Sequence, residues 1–356
     1  MSPDAPLIGT TPALAAPVTA KEVLSALVVA VIASGSGLLI AVMSCKAFNG
    51  KPGDTLLVNG TVPSAPVMAL IILFGVNLLA WIPASILKTE RFYDLTGGIT
   101  YVALTAATLA VGSYAEQNSD PYCGGSKSWL EKISAAMTLV WALRLSGFLF
   151  YRIHGSARGD KRFDEVKLNP ARFIVAWMMQ AMWCYLTTIA MVVQTGYSGP
   201  ASMLVPRSAT AGDATGDEIF FDFCTVFGIV LWCIGFALEV TADFQKLNFS
   251  KDSNNQGRFI STGVWAWSRH PNYFGEITLW VGIFVMGIRS YQGTQWIVAV
   301  SPLFVALLLL KISGLPLLES YADKKWGEEA AYQEYKRKTH VIVPFLRRET
   351  TKLKSQ

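Results

Sequence analysis

The chain is poor in charge. Only 15% of its 356 residues are Asp, Glu, Lys or Arg, against about a quarter in a soluble globular protein. It also lacks the scattered apolar periodicity of soluble domains, because the 52% of residues that are hydrophobic gather in long blocks. These shortages exclude an ordinary soluble enzyme, a disordered protein and a small disulfide scaffold. The five cysteines (Cys45, Cys123, Cys184, Cys224 and Cys233) form no CxxC and no metal-ligand spacing, so no metal site is expected. There is no GxGxxG after a strand, no Walker A loop, no HExxH and no serine nucleophile elbow. Any nucleotide bound here is therefore held without a soluble nucleotide-binding domain.

What remains is an all-α, polytopic transmembrane helix bundle of about seven to eight spans. A hydrocarbon core of about 30 Å needs roughly 20 apolar residues per helix. Eight segments qualify: 23–44, 65–87, 97–115, 133–151, 173–194, 219–238, 273–288 and 295–315. The aromatic residues suit interfacial belts. With eight spans, 22 of the 30 Lys and Arg residues fall on one side, including those in 152–172, 239–272 and after 315. The positive-inside rule then places both termini in the cytosol. The net charge of +5 reads as this topology signal rather than as a nucleic-acid site. Residues 1–64 form an N-terminal tail, a first helix and a luminal loop; 65–356 form the main membrane domain. Residues 1–20 are Pro/Ala-rich and loose, and the first apolar block does not read as a cleaved signal. On the luminal side, Asn59-Gly60-Thr61 is either a glycosylation sequon or a chance triplet. Cys45 and Cys123 share that side and would pair if it is oxidising.

Polar residues near membrane depth carry the functional information, since burying charge there is expensive. Glu239 and Asp243 are one helical turn apart, with Lys246 three residues on. Two carboxylates on one face call for a cation or donor, from Lys246, Arg258 or a ligand hydroxyl; the alternative is a solvated helix end. In Ser268-Arg269-His270-Pro271-Asn272-Tyr273-Phe274-Gly275-Glu276, Pro271 starts a helix. Asn272 and Glu276 then share a face, and Arg269 offers a fork that suits phosphate. The competing reading is an interfacial anchor with Trp265, Trp267 and Tyr273 as belt residues. Arg144 lies inside the fourth span and needs a partner within the bundle, for which Asp222 is the natural candidate. Asp94 is expected to cap the third span. The stretch Arg152 to Asp164 reads as a headgroup contact. The basic tail with Tyr332, Tyr335 and Lys336-Arg337-Lys338 reads as an amphipathic surface helix.

The segment ADFQK…GRFI..G.WAWSRHPNYFGE, with RFYDLTGG, LRLSGFLFYRI…GDKRFDE and GLPLLE…YQEYKRKT…VP, resembles the steroid 5-alpha-reductase-like membrane family. The likeness is to its uncharacterised bacterial and eukaryotic branch, a domain of unknown function. It covers roughly residues 70–345 and is most specific over 236–288. It implies a bundle of seven or so transmembrane helices holding NADPH in a cavity open to the cytosol, with the cofactor half at 236–345. Carried over by motif, Asp243 takes the place of the Asp in a His-Ser-Asp segment, and Asn272 and Glu276 take the places in N-[YF]-x-G-E. Arg269 to Tyr273 is similar to the RHPNYxG of sterol C14- and C7-reductases. Tyr335 and Lys338 belong to a tail whose basic residues approach the cofactor. The chain departs from the pattern at Thr241-Ala242-Asp243, and the Glu and Tyr that polarise a steroid ketone have no assigned counterpart. The same C-terminal architecture occurs in isoprenylcysteine carboxyl methyltransferases, which bind S-adenosylmethionine.

The expected function is an NAD(P)H-dependent reduction of a C=C bond in a sterol-like or polyprenoid enone. Arg258, Arg269 and His270 would face phosphate or ribose, with Glu239, Asp243, Lys246, Asn272, Tyr273, Glu276, Tyr335 and Lys338 completing the site. One alternative is a methyltransferase of a lipid or prenylated thiol; another is a non-catalytic lipid-binding protein. The expected partners are a lipid substrate and the membrane, with no nucleic acid and no obligate protein partner. The expected location is the endoplasmic reticulum of a eukaryote or the inner membrane of a bacterium.

Overall fold

A computed structural model describes residues 57–58, 62–117, 129–154, 160, 163–196, 223–291, 293–312 and 314–346. Two short strands, β1 (Leu57–Val58) and β2 (Val62–Pro63), pair antiparallel. Helices follow: α1 (Ala65–Leu87), α2 (Tyr93–Gln117), α3 (Trp129–His154), α4 (Pro170–Gly196), α5 (Phe223–Lys251) and α6 (Pro271–Met286). A 3₁₀ segment, Gly293–Ala299, leads into α7 (Val300–Leu307), which loosens into a π-turn, Leu308–Ile312. Two amphipathic helices close the described chain, α8 (Leu315–Trp326) and α9 (Ala330–Lys338). The expected first span, the Asn59 sequon, Cys45, Cys123 and Asp222 all lie outside the described residues.

Among the described residues, six helical runs are long and apolar enough to cross a membrane. The chain is an integral, multi-pass membrane protein with an all-α fold. Ile71, Leu79, Ile86, Leu143, Val230 and Leu303 point outward, the arrangement a lipid solvent favours. The expected span at 273–288 is α6, whose 16 residues are short for a crossing. Apolar length is not what holds it; α6 lies against α5 more extensively than any other pair of elements.

Local signals set the helix starts. Asn169 accepts from the Ala171 and Arg172 amides at 3.0 and 3.3 Å, and Pro170 follows at the first helical position of α4. Pro271 starts α6 as the sequence predicts. Asp94 does not cap α2; it is the helix's second residue. Buried threonines on α2 and α4 return their hydroxyls to their own helix, as Thr100 does to Thr96 O at 2.7 Å and Thr188 to Cys184 O at 2.6 Å. That satisfies polar groups where no water is available.

Glycines bring α5 and α6 into backbone contact. A Cβ on Gly275 would lie 2.6 Å from Gly235 O and 2.8 Å from Glu239 N. Gly228 and Gly282 meet in the same way one face-repeat further along. Lipid supplies no hydrophobic force between helices, so this close approach is what lets van der Waals contact join them. The consequence is positional: Glu239 of α5 is brought beside the first turns of α6. The core between the helices is aromatic, with Trp141, Trp177, Trp280, Tyr185 and Phe173 fully buried.

Candidate functional site

The eleven candidate residues divide into an inner charge cluster, a cavity and two residues outside both. In the cluster, Glu239 and Asp243 share one face of α5, as their spacing requires. Their partner is Arg144 of α3. Its guanidinium reaches Glu239 Oε1 at 2.7 Å and Asp243 Oδ2 at 2.8 Å, and donates to the Glu239 carbonyl at 3.3 Å. Arg144 is therefore the cation paired with both carboxylates, and Lys246 adds its field at Asp243. From α6, Asn272 Nδ2 donates to Asp243 Oδ1 at 3.3 Å. Glu276, one turn on, lies within the electrostatic field of Glu239, Asp243 and Arg144. Three carboxylates thus surround one guanidinium. Glu239 Oε2, Asn272 Oδ1 and Arg144 Nε are buried with hydrogen-bonding capacity unused, a costly state that suits a ligand's polar group.

Lys246 stands between this cluster and a cavity of about 490 Å³, an ordinary size for a small-molecule site. Its ammonium lies 4.9 Å from the Trp265 ring centroid. The cavity is lined by four cations, Lys246, Arg258, Arg269 and Lys325, against one carboxylate, Glu319. Its aromatic wall includes Phe259, Trp326 and Tyr335, with Phe259 and Tyr335 stacked at 5.6 Å and 25°. Cations for an anion and flat faces for a ring make it suited to a nucleotide.

Arg269 and His270 line the cavity but are not free to face a phosphate. Glu319 of α8 grips both, Oε2 on Arg269 Nη2 at 2.8 Å and Oε1 on His270 Nε2 at 2.7 Å. Burial holds the His270 imidazole below its ordinary pKa; the Glu319 contact opposes this, and the charges of Lys246 and Arg269 reinforce it. Burial likewise pushes the Tyr335 hydroxyl up; it donates to Trp265 O at 2.7 Å. Tyr273 stacks on His270, ring centroids 5.6 Å apart, and is outside the cavity lining. Lys338 is also outside it: mostly exposed, it pairs with Glu334 one turn away at 2.9 Å, because the face of α9 that meets the cavity carries Tyr332 and Tyr335 instead.

The tail is not a helix lying free on a leaflet. The Arg269 amide donates to His340 O at 3.0 Å, Ser268 Oγ to Ile342 O at 2.7 Å, and the Phe345 amide to Trp267 O at 3.1 Å. These bonds fold α8 and α9 over the cavity as one wall. Glu319 and Arg144 are the members that sequence reasoning did not place. Arg144 was visible as a charge in a span, but its partners lie 95 and 99 positions away. Glu319, in GLPLLESYADKK, gave no signal beyond being the first acid of an amphipathic helix.

Fold and site together define a polytopic helical membrane protein with a charged cluster at one end of the bundle and a cationic, aromatic cavity beside it. The chain belongs to the family described as Protein of unknown function (DUF1295), whose model matches residues 80–339. It is 24% identical over 183 residues to an uncharacterised protein of Schizosaccharomyces pombe, covering 46% of this chain and 50% of that one. It is also 24% identical over 123 residues to the 3-oxo-5-alpha-steroid 4-dehydrogenase 1 of Rattus norvegicus, covering 35% of this chain and 42% of that enzyme. The corresponding enzyme of Mus musculus matches at 24% over the same length, 43% of it being covered. The chain thus aligns with half or less of each of these relatives. No solved structure matches it significantly.

Proposed function

We propose that the protein is a membrane-embedded, NAD(P)H-dependent reductase of a C=C bond conjugated to a carbonyl in a lipid. The observation that carries this reading is the junction of the cationic, aromatic cavity with the buried acceptor cluster. The residues fit the cofactor. Arg258 and Lys325 suit its phosphates, the Phe259–Tyr335 faces suit adenine, and the unused Glu239 Oε2 and Asn272 Oδ1 suit the amide hydrogens of a nicotinamide. The likeness to 3-oxo-5-alpha-steroid 4-dehydrogenases supports the same chemistry, and the bias of basic residues supports a cavity open to the cytosol, where the nucleotide is found.

A reduced nicotinamide held by these residues would supply the hydride that saturating an enone requires at the β-carbon, and water entering from the cavity would supply the proton at the α-carbon. Arg144 fixes Glu239 and Asp243 as acceptors, and Asn272 extends the row from the facing helix. Lys246 lines the cavity and carries its charge toward Asp243 of the cluster. Glu319 sets the positions of Arg269 and His270, and the folded tail excludes water from their far side.

Equilibrium binding of NADPH, NADH and S-adenosylmethionine to the full chain in lipid nanodiscs tests this. Micromolar binding of a reduced nicotinamide nucleotide, weakened by Arg258→Glu and Asn272→Ala, is expected. Binding of S-adenosylmethionine alone would replace the reading with a methyltransferase. Binding of none would leave a lipid-binding protein.

A further inference from the structure

The chain that follows α9 builds an apolar patch beside the start of α6. Thr339 ends α9, its amide donating to Tyr335 O at 2.9 Å. His340 then turns the chain, its Nδ1 accepting from the Ile342 and Val343 amides at 3.2 and 2.9 Å. After Pro344, Phe345 takes a φ of 62°, a left-handed conformation that is costly for a bulky side chain. Two contacts hold it there. Its amide donates to Trp267 O at 3.1 Å, and its ring lies against the Trp267 ring, centroids 4.8 Å apart at 35°. Neither ring belongs to the core. Trp267 is 41% exposed, Phe345 70%, Leu346 53% and Val343 40%. Trp265, two residues earlier, is by contrast buried and donates to Ala242 O at 3.0 Å. Backbone strain here keeps an aromatic ring at the surface, where a contiguous apolar patch marks a binding face.

We infer that Trp267, Val343, Phe345 and Leu346 form an interfacial anchor seated on a leaflet of anionic phospholipid. Position is the first argument. Pro271 starts the apolar helix α6 only four residues beyond Trp267, so the patch stands where that helix enters the bilayer. Charge is the second. The sequence continues with Arg347, Arg348, Lys352 and Lys354 against one acid, Glu349. The cations before the patch are already engaged, since Arg337 and Lys338 both pair with Glu334. Uncompensated cations beside exposed aromatic side chains suit lipid phosphates above and acyl chains below. A second copy of the chain would set like charges against each other, which opposes association. The contact has a structural consequence. The bonds from Arg269, Ser268 and Phe345 that build the patch also fold α8 and α9 over the cavity. A leaflet that holds Phe345 in place therefore braces the cavity wall. The inference goes beyond the reductase reading and stands whatever the cavity binds.

The test is photolabelling of the full chain in nanodiscs, with adducts mapped by mass spectrometry. The probes are phosphatidylglycerol and phosphatidylcholine, each carrying a diazirine high on one acyl chain. Peptides holding Trp267 and residues 342–346 should take about fivefold more label from phosphatidylglycerol, the factor that one basic residue near an anionic surface supplies. The outward α5 residues Val230 and Ile234, in a stretch without Lys or Arg, should label equally from both. Phe345→Gly relaxes the turn and removes the ring, so it separates lost anchoring from lost folding. Label at 342–346 should fall in that variant while label on α5 is unchanged. Arg347→Glu with Arg348→Glu should bring the two lipids to parity. Hydrogen exchange at the Phe345 amide should quicken when phosphatidylglycerol is left out. Equal label from both lipids in wild type, label on α5 with none at 342–346, indifference to Phe345→Gly, or cross-linking of 342–346 to a second chain would each overturn the inference.

Discussion

The two halves of the bundle treat polar groups in opposite ways. Helices α2 to α4 bury neutral ones, chiefly threonines whose hydroxyls return to the turn before, as at Thr96, Thr105 and Thr195. Helices α5, α6 and α8, with the turn before α6, gather charge: Glu239, Asp243, Lys246, Arg269, Glu276 and Glu319. On α3 the charged Glu131 is also buried, and Arg144 crosses to the other half to pair. A half that buries mostly neutral groups can accept a lipid without presenting a paired ion to it. A charged half next to solvent can hold a polyanionic nucleotide. The charge cluster is the seam between them, and it stands only because each side supplies what the other lacks.

The largest expected effect comes from cutting that seam. Arg144→Leu leaves Glu239 and Asp243 buried without their cation and should lower stability by about 3–5 kcal/mol. Thermal unfolding in nanodiscs reads it. Arg144→Leu combined with Glu239→Leu and Asp243→Leu should recover much of the loss, because removing a whole buried ionic group is often neutral. If the single variant were as stable as wild type, the cluster would not be a structural joint.

A smaller loss is expected within the charged half alone. Gly275→Ala inserts a methyl 2.6 Å from Gly235 O and 2.8 Å from Glu239 N, and backbone atoms cannot turn aside as a side chain can. The cost should be about 1–3 kcal/mol, and α5 and α6 should separate enough to loosen the Arg144 pairs. Gly75→Ala on α1, where nothing lies within 4 Å, should be neutral or slightly stabilising by helix propensity. Equal effects at the two positions would contradict the close-contact account of α5 and α6.

The smallest effect is a pH dependence confined to the charged half. Burial lowers the His270 pKa in the folded protein, so the unfolded chain takes up the proton more readily. The resulting stability is complete above the ordinary histidine value near 6.5. It is lost as pH falls through that value toward the folded one. Unfolding temperatures between about pH 7.5 and 5.5 should therefore decline in wild type and flatten in His270→Gln. The groups facing the ring are Glu319 from α8, Lys246 from α5 and the adjacent Arg269, so Glu319→Gln should steepen the decline by removing the contact that favours the protonated ring. A flat wild-type profile would contradict it.

How far the residues announced this arrangement differs between spans and site. Hydropathy located α1 at its full extent, 65–87, and found α2, α3, α4 and α6 to within a few residues. It stopped α5 at 238, because the helix continues to Lys251 through charged turns that hydropathy scores as loop. Periodicity put Glu239 with Asp243, and Asn272 with Glu276, since i,i+4 geometry is local. It could not find Arg144 for the first pair or Glu319 for Arg269, because those contacts depend on which helices become neighbours.

The central claim is that a hydride passes from a nucleotide on the charged side to a lipid on the neutral side. Incubating the full chain in nanodiscs with C4-deuterated NADPH and a long-chain enone tests it directly. The account predicts deuterium on the β-carbon of the saturated product, in proportion to NADPH oxidised, and its loss in Asn272→Ala. NADPH binding without deuterium in any lipid product, or methyl transfer from S-adenosylmethionine in its place, would contradict it.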